Sequence, residues 1–341
     1  MAKETEENPV VEEEVKVIAI KLPFDLQERL LSFPFLHAIK NKYPDAEIHF
    51  ITPKKDIEVL NLLPFTAFYH EVDEGEIRTV FDVHRYCVYA KIFNVDLFIS
   101  LTNSFSDASF GMSLRAKKRL GFSDNWKTLV LNEKTKRPVG HHLCEDFFEL
   151  YKTHVNANID LKLKVMSRDL RPIIQDWDTT PYVAINLTPL RDAVIDEEWI
   201  KLVYDFKDQR IIFFSSEDKE RVTPLIDKFI SILPKTNTYS FFFQKDWIEL
   251  SRMLAYARGV ITYEGPLASV SAYVGAKTLI IYDRRDPQRE GPFYFLSDIA
   301  LLTSKDTSVT LQAAAPGSLK ARTIFDMHAI QAKASQFFKL E

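Results

Sequence analysis

The sequence predicts an α/β protein made of two doubly wound domains, each with a parallel sheet between layers of helices. Its 341 residues suit two domains of ordinary size. Short apolar runs alternate with helix-like patterns along the chain, as expected for parallel strands joined by helices. The alternation breaks at a polar stretch near residues 168–180 and then starts again. That restart is the reason for predicting two domains.

The first half begins with a strand over Val15–Leu22, followed by a helix over Leu26–Lys42 that Tyr43-Pro-Asp45 ends. The remaining strands and helices of this half are predicted in the same way, from the spacing of their apolar residues. The strands are Glu47–Thr52, Ala67–Glu71, Leu97–Leu101 and Arg119–Phe122, and the helices are Thr79–Phe93 and Cys144–Asn156.

The second half repeats the pattern from Tyr182 onward. The predicted strands are Tyr182–Leu187, Arg210–Ser215 and Thr238–Phe243, and the predicted helices are Glu197–Phe206, Lys219–Ile232 and Ile248–Ala257. After Pro316-Gly317, residues Ser318–Lys339 are predicted to form a helix that crosses back onto the first domain. The boundaries are therefore 1–14 for a disordered acidic tail, 15–172 and 173–316 for the domains, and 317–341 for the last helix.

The segment Ala257–Pro287 carries the strongest local pattern, namely strand, Gly265-Pro266 turn, small-residue helix and second strand. A helix N-terminus offers unpaired N–H groups and a positive dipole end, so a phosphate can bind there. Gly265 allows a ligand to approach the backbone closely, and Pro266 suits the first helical turn. An ordinary turn of a parallel sheet explains the pattern equally well.

The first strand-to-helix turn, Leu22–Glu28, places Asp25 and Glu28 where the first strand ends. Ligands of open parallel sheets bind at this edge, and a carboxylate there can act as a general base. The residue spacing alone favours a structural role, in which Asp25 caps the helix and Glu28 completes a capping box.

Composition excludes several classes of protein. A hydrophobic fraction of 46% and a charged fraction of 27% are those of a soluble globular chain. Most of the net charge of −4 comes from the tail, where six Glu precede Val15, so the remainder is near neutral and a nucleic-acid partner is not expected. The basic run Arg115–Arg119 is interpreted as a solvated helix end rather than a phosphate site.

The absence of several motifs argues against further kinds of binding site. The chain has neither a G-x-G-x-x-G after the first strand nor a G-x-x-x-x-G-K-[ST] loop, which argues against dinucleotide and P-loop sites. No His/Cys cluster has zinc spacing, and the pair His141-His142 is interpreted as structural or capping. The two cysteines, Cys87 and Cys144, are expected to be buried free thiols. An acidic N-terminus and the absence of a run of about 18 apolar residues predict a cytoplasmic protein.

Several blocks together resemble glycosyltransferase family 9, the ADP-heptose:lipopolysaccharide heptosyltransferases. The first-domain blocks are Val17-Ile-Ala-Ile-Lys-Leu, Leu30–Ile48, Lys118-Arg-Leu-Gly-Phe and His142–Leu150. The second-domain block is Leu250–Pro292, with Gly265-Pro266, Val274-Gly275 and Asp286-Pro287. The resemblance covers roughly residues 15 to 295 and implies the GT-B architecture of two facing Rossmann-like domains.

The resemblance also assigns site residues. The family's catalytic Asp corresponds to Glu28, with Asp25 in reserve. The family's phosphate loop, Asp-Ser-Gly-Pro-x-His, reads Tyr263-Glu264-Gly265-Pro266-Leu267-Ala268 here, so its Asp and His are absent. The implied donor-binding residues are Thr188, Arg191, Ser216, Glu264, Gly265, Pro266, Leu267 and Arg284.

The implied function is inverting transfer of a heptose-like sugar from a nucleotide diphosphate donor, most simply an ADP-sugar, to a lipopolysaccharide-type or other glycan acceptor. No metal or other cofactor is implied, and neither is a nucleic-acid partner. Peripheral contact with the inner membrane is compatible with such an acceptor. The alternative is a non-catalytic GT-B protein that binds a glycan or a protein, because several of the family's phosphate-binding side chains are replaced. A sugar-nucleotide epimerase of the same fold has no motif in its favour.

Overall fold

A computed structural model shows the fold. It describes residues 14–123, 126, 129–155, 181–187, 210–215, 223, 227, 231, 239–243, 246–282, 285–293, 299–303, 308–311, 322–325 and 327–338. The predicted linker near 168–180, the predicted helix over Glu197–Phe206 and most of the helix predicted over Lys219–Ile232 lie outside these residues.

The first sheet has six parallel strands in the order β3-β2-β1-β4-β5-β6. Its strands are β1 (Val17–Lys21), β2 (Glu47–Pro53), β3 (Phe68–Val72), β4 (Leu97–Ser100), β5 (Lys118–Phe122) and β6 (Glu133–Thr135). The central strands are nearly continuous apolar runs because helices cover both of their faces. The order reverses between β1 and β4, which is where ligands bind in sheets of this kind.

The second sheet repeats this topology, with the order β12-β11-β10-β7-β8-β9 and all pairs parallel. Its strands are β7 (Tyr182–Asn186), β8 (Arg210–Ser215), β9 (Tyr239–Phe243), β10 (Gly259–Tyr263), β11 (Thr278–Tyr282) and β12 (Ile299–Thr303). A small antiparallel pair follows, formed by β13 (Ser308–Leu311) and β14 (Arg322–Phe325). The predicted fold class is therefore confirmed.

The described helices are α1 (Leu26–Leu31), α2 (Phe33–Lys42), α3 (Val80–Ala90), α4 (Phe105–Ser113), α5 (Leu143–Val155), α6 (Trp247–Ala255), α7 (Pro266–Tyr273), α8 (Pro287–Glu290) and α9 (Met327–Phe338). Short 3-10 helices cover Ile57–Leu62 and Glu74–Glu76. The sequence patterns missed α4, α8, β6, β12 and β13.

Two predicted helices were wrong in their extent. The helix expected over Leu26–Lys42 is divided at Ser32, because Pro34 lacks the N–H that would bond one turn back. The helix expected from Ser318 does not occupy 322–325, where Arg-Thr-Ile-Phe forms β14. Its β-branched and aromatic residues pair better with β13 than they would continue a helix.

The two domains share one apolar seam, which α1 and α2 form with α7. The ring of Phe33 lies edge-on to Tyr273, with the centroids 5.1 Å apart. The Tyr273 hydroxyl also lies 2.9 Å from Nε2 of His37, and burial lowers the pKa of His37 to about 4. Leu30 and Leu267 belong to the same buried cluster. The seam thus sets the strand ends of one sheet against those of the other.

The last helix, α9, buries one face at Ile330, Ala334 and Phe338, a spacing of four residues. The Phe338 ring lies over Gly259 of β10, where an added Cβ would be 2.5 Å from Cδ1 of the ring. The end of α9 is therefore packed on the second domain. The domain boundaries predicted from the sequence remain predictions.

Candidate functional site

The first turn, residues 22–28, presents two carboxylates at the carboxyl edge of the first sheet. Asp25 caps α1, because its Oδ1 accepts a 2.9 Å hydrogen bond from the N–H of Glu28. The structural role expected for Asp25 is thus confirmed. Glu28 occupies the third position of the helix, and its side chain is exposed.

Arg29 holds this turn in place from beneath. Its side chain is only 1% exposed and donates to four carbonyl oxygens. Two belong to the turn itself, Pro23 at 3.3 Å and Phe24 at 3.1 Å, and two belong to the loop after β2, Lys55 at 3.1 Å and Asp56 at 3.2 Å. Burial lowers the pKa of Arg29 to about 10. The turn is therefore fixed by one buried guanidinium.

Lys21 adds a second support at the point where the strand order reverses. Its Nζ is fully buried, lies 3.7 Å from Oδ1 of Asp107 on α4 and donates to the Leu22 carbonyl at 3.0 Å. The same amine sits 4.0 Å from the centre of the Phe24 ring. The contact between the Lys21 amine and the Phe24 ring stabilises an aromatic side chain at the edge of a polar cleft.

The second turn, residues 263–268, takes its shape from the backbone of Gly265. Gly265 has φ +120° and ψ −164°, a conformation open essentially to glycine. Pro266 begins α7, as the sequence predicted. A Cβ added to Gly265 would meet no atom within 4 Å. The space beside Gly265, at the start of α7, is therefore open.

Arg285 connects the two turns. Its backbone N–H donates to Oε2 of Glu264 at 2.9 Å, so this carboxylate anchors the loop that follows β11. Its guanidinium bonds Glu290 and lies 3.9 Å from Oδ2 of Asp25. One arginine of the second domain thus lies between the acidic turn of the first domain and the helix start of the second.

Gln27 makes a second connection across the cleft. It is buried, accepts a 3.0 Å hydrogen bond from the Ser269 hydroxyl of α7, and donates through Nε2 to the carbonyl of Glu290 at 2.9 Å. Its amide therefore joins α1 to both α7 and α8.

A buried carboxylate, Asp146 on α5, forms a third connection. Arg289 of the second domain lies 2.7 Å from its Oδ2, and Arg137 lies 3.9 Å from the same oxygen. The Arg137 guanidinium also rests 4.3 Å from the centre of the Phe122 ring. Asp146 is completely buried, so these cations offset a charge that would otherwise be costly.

His142 completes the seam and is held in one neutral form. Its Nδ1 accepts from the N–H of Cys144 at 3.1 Å, which caps α5, so the proton on Nε2 is donated to the Gly291 carbonyl at 2.8 Å. Burial lowers its pKa. The structural and capping role predicted from the sequence is confirmed. Both cysteines are buried free thiols, as expected.

The charges around Glu28 affect its proton affinity. Although the Glu28 side chain keeps contact with solvent, the protein around it partly desolvates its carboxyl and raises the pKa above its usual value, and the charge of Asp25 raises it further. Arg137 and Arg285 act in the opposite direction, while Glu290 again raises it. A carboxylate with a raised pKa is a stronger base than an ordinary glutamate.

The structure therefore places four predicted site residues, Asp25, Glu28, Glu264 and Gly265, around one cleft, with Pro266 and Leu267 beginning α7 beside them. Thr188, Arg191, Ser216 and Arg284 lie outside the described residues. Sequence reasoning missed Gln27, Arg137 and Arg289 as cleft residues. The segment Asp286-Pro287, which begins α8, was the available signal for Arg289.

Two further properties concern the described residues only. None of the described His, Cys, Asp and Glu side chains form a group of three or more suited to a metal ion. No helix in the described part of the chain is both long and apolar enough to cross a bilayer.

Comparison with known proteins finds similarity in structure rather than in sequence. No protein-family profile matches the chain, and no curated protein matches its sequence. A family 9 glycosyltransferase structure from Veillonella parvula is similar at a TM-score of 0.71, with 14% identity over 95% of this chain and 97% of that one.

Two heptosyltransferases of E. coli are similar as well. One, solved with ADP, has a TM-score of 0.70 and 15% identity over 84% of this chain and 93% of its own. The other, ADP-heptose lipopolysaccharide heptosyltransferase II, has a TM-score of 0.69 and 12% identity over 95% and 98%. The chain therefore has the GT-B fold that these glycosyltransferases share.

Proposed function

We propose that the chain is an inverting glycosyltransferase that moves a heptose-like sugar from a nucleotide diphosphate donor to a lipopolysaccharide-type or other glycan acceptor. The observation that carries the proposal is the pairing of the two turns. Glu28 and Asp25 face the open start of α7 across one cleft, and Arg285 reaches both sides. An ADP-sugar is the preferred donor, since a heptosyltransferase of this fold was solved with ADP.

The proposed reaction is a single displacement. The acceptor hydroxyl attacks the anomeric carbon while the bond from that carbon to the diphosphate breaks, which inverts the configuration. Glu28 takes the hydroxyl proton, and its raised pKa suits that role. We assign to the start of α7 and to Arg285 the stabilisation of the negative charge that develops on the diphosphate. Arg191 and Arg284 are proposed to assist, and no metal or cofactor is required.

Glu264 bears on this proposal, because a carboxylate beside a phosphate site is unfavourable. In the structure one of its oxygens already accepts the N–H of Arg285. Its charge is thereby partly satisfied by the loop that it anchors. We assign Glu264 the role of positioning that loop. Because nucleotide sugars are a cytoplasmic pool, the proposal also implies a cytoplasmic enzyme.

The decisive variant is Glu28→Gln, assayed for release of ADP from ADP-heptose with lipopolysaccharide fragments as acceptors. Loss of a general base predicts a fall in turnover of about 10²- to 10⁴-fold. Thermal stabilisation by ADP should persist. The matched control is Glu249→Gln, since Glu249 stands three residues after its own capping residue, Asp246, as Glu28 stands after Asp25. Full turnover in Glu28→Gln would refute the assignment of the base.

The second candidate is a non-catalytic GT-B protein that binds a glycan or a protein. The observation favouring it is Glu264 itself, an acidic side chain of the phosphate loop that already occupies a backbone N–H. A thermal-shift panel of ADP, UDP, GDP and CMP separates the two candidates. Ligand present at about 100 times its Kd stabilises a protein by about 2.7 kcal/mol, which such a panel detects readily. No shift with any nucleotide would favour the binding protein.

A further inference from the structure

The exposed apolar side chains are unevenly distributed. Among the described residues, twelve large apolar side chains are exposed, and eight of them lie between residues 68 and 112. Several belong to α3, which buries Val83 and Cys87 against the first sheet and exposes a second apolar stripe on its outer side. A helix that is apolar on both faces usually has a partner on each.

The second half of this helix meets the basic run of the sequence. The N–H of Lys117 donates to the carbonyl of Val95 at 3.1 Å, so the loop after α4 lies beside the loop after α3. Ile92, Leu114 and Ala116 pack in one buried cluster beneath both loops. Residues 84–94 and 112–118 therefore form one continuous surface, the basic aromatic face.

The charges of this face have one sign. Residues 84–94 and 112–118 include no Asp or Glu. Their basic side chains are His84, Arg85, Lys91, Arg115, Lys117 and Lys118. Lys117 is engaged with Asp96 beneath the face, at 2.8 Å, and Arg85 lies 3.4 Å from Asp82. The acidic residues Asp73 and Glu76 precede α3, so they flank the opposite end of the helix.

The apolar side chains of the same face are strongly exposed. Tyr89 is 77%, Phe93 69%, Val88 63% and Met112 51% exposed. Val88 and Tyr89 stand on the outer side of α3, Phe93 on the loop that ends it and Met112 near the end of α4, so the exposed apolar side chains form one ridge. A ridge of aromatic side chains among lysine and arginine fits a flat anionic surface, where rings enter the interface and the cations meet headgroup phosphates.

We propose that the basic aromatic face docks the protein onto an anionic lipid bilayer. Positive charge and exposed rings together match such a surface better than a second copy of this chain, which would bring the same cations into contact. Each basic group near the bilayer strengthens partitioning about fivefold. The loops at 91–96 and 115–117 precede β4 and β5, so the face adjoins the amino edge of the sheet and leaves the cleft at the carboxyl edge open.

The test is co-sedimentation of the full chain with vesicles, without any sugar nucleotide. Vesicles of phosphatidylcholine alone are compared with vesicles in which about a third of the lipid is phosphatidylglycerol. We expect binding to the anionic vesicles only, reduced about tenfold or more when the salt is raised from about 0.1 M to about 1 M. Because no substrate is present, the result is independent of whether the chain is a transferase.

Two pairs of variants locate the surface. Tyr89→Ser with Phe93→Ser, and Arg115→Glu with Lys118→Glu, should each lower vesicle binding about tenfold or more. Trp126→Ser with Tyr256→Ser is the control for the first pair, since these rings are 75% and 50% exposed elsewhere. Lys134→Glu with Lys136→Glu is the control for the second, since both lysines are exposed.

Four results would overturn the proposal. One is the absence of binding to anionic vesicles, and another is unchanged binding of the Tyr89/Phe93 variant. The third is a dimer in size-exclusion chromatography that the Tyr89/Phe93 variant converts to a monomer, which would identify a second copy as the occupant. Retention of the wild-type chain by single-stranded RNA but not by vesicles would likewise refute a lipid surface.

Discussion

The two turns that face each other across the cleft both follow a strand at which the strand order of its sheet reverses, β1 in the first sheet and β10 in the second, but they are built in opposite ways. The first, residues 22–28, is held by side chains, because Lys21 and Arg29 are buried beneath it and Asp25 caps the helix. The second, residues 263–268, is shaped by the backbone of Gly265 and opens on space. A turn fixed by charged side chains can present a base, whereas a bare helix start can receive an anion.

The largest expected effect comes from removing the buried support of the first turn. Arg29→Met leaves four carbonyl oxygens without their donor, and we expect the free energy of unfolding to fall by about 3 kcal/mol. Arg29→Lys should lose less, since an ammonium keeps the charge but cannot span both loops. Urea unfolding followed by tryptophan fluorescence measures both variants.

The control for Arg29 is Arg85→Met on α3, whose side chain is 71% exposed. Substitutions at such positions change the free energy of unfolding by less than about 0.5 kcal/mol. Equal losses at Arg29 and Arg85 would show that the carbonyl bonds of Arg29 do not hold the first turn.

A substitution in the second turn should destabilise the protein through backbone strain rather than through lost contacts. Gly265→Ala places a Cβ on a backbone at φ +120°, which costs about 1–3 kcal/mol, although the Cβ itself meets no atom. Gly275→Ala is the matched control at the other end of α7, because its φ of 75° lies nearer the left-handed region that other residues reach. The loss at Gly265 should exceed the loss at Gly275, again by urea unfolding. The reverse order would show that the second turn tolerates a side chain.

The smallest expected effect is a shift in proton affinity within the first turn. Asp25→Asn keeps a capping side chain but removes a negative charge that raises the pKa of Glu28, so that pKa should fall. Arg285→Gln removes a positive charge that lowers the pKa of Glu28, so there it should rise. Carboxyl carbon NMR, with the Glu28 signal assigned from Glu28→Gln, follows both variants. Shifts in the same direction would contradict the arrangement of charges.

The change in the pKa of Glu28 should also appear in the pH dependence of the transfer rate. A general base works when deprotonated, so the rate of transfer rises with pH through the pKa of Glu28. The acidic limb of the pH–rate profile should therefore move to lower pH in Asp25→Asn and to higher pH in Arg285→Gln. An unchanged acidic limb in both variants would show that the rate of transfer does not depend on the protonation of Glu28.

The sequence predicted the sheets better than the cleft, and the reason is physical. Runs such as those of β1 and β7 are almost entirely apolar because both faces are covered, and that pattern is local. Cleft residues such as Gln27 and Arg289 act through partners 242 and 143 residues away. Nothing in their local sequence reveals those partners.

The two helices whose predicted extents were wrong also have physical explanations. The break at Ser32 depends on Pro34, whose missing N–H is visible in the sequence. The strand β14 depends on pairing with β13, and no pattern had predicted β13. Strand propensity is decided by neighbours more than helix propensity is.

The seam between the domains bears on how the protein unfolds. Separating the two sheets would expose Phe33 and Tyr273 to water and deprive the buried carboxylate of Asp146 of Arg289. The first half alone would therefore leave Asp146 with Arg137, which lies 3.9 Å away, and without the closer Arg289. Halves expressed from two genes should consequently require each other to become stable, and the intact chain should lose both sheets in one cooperative transition.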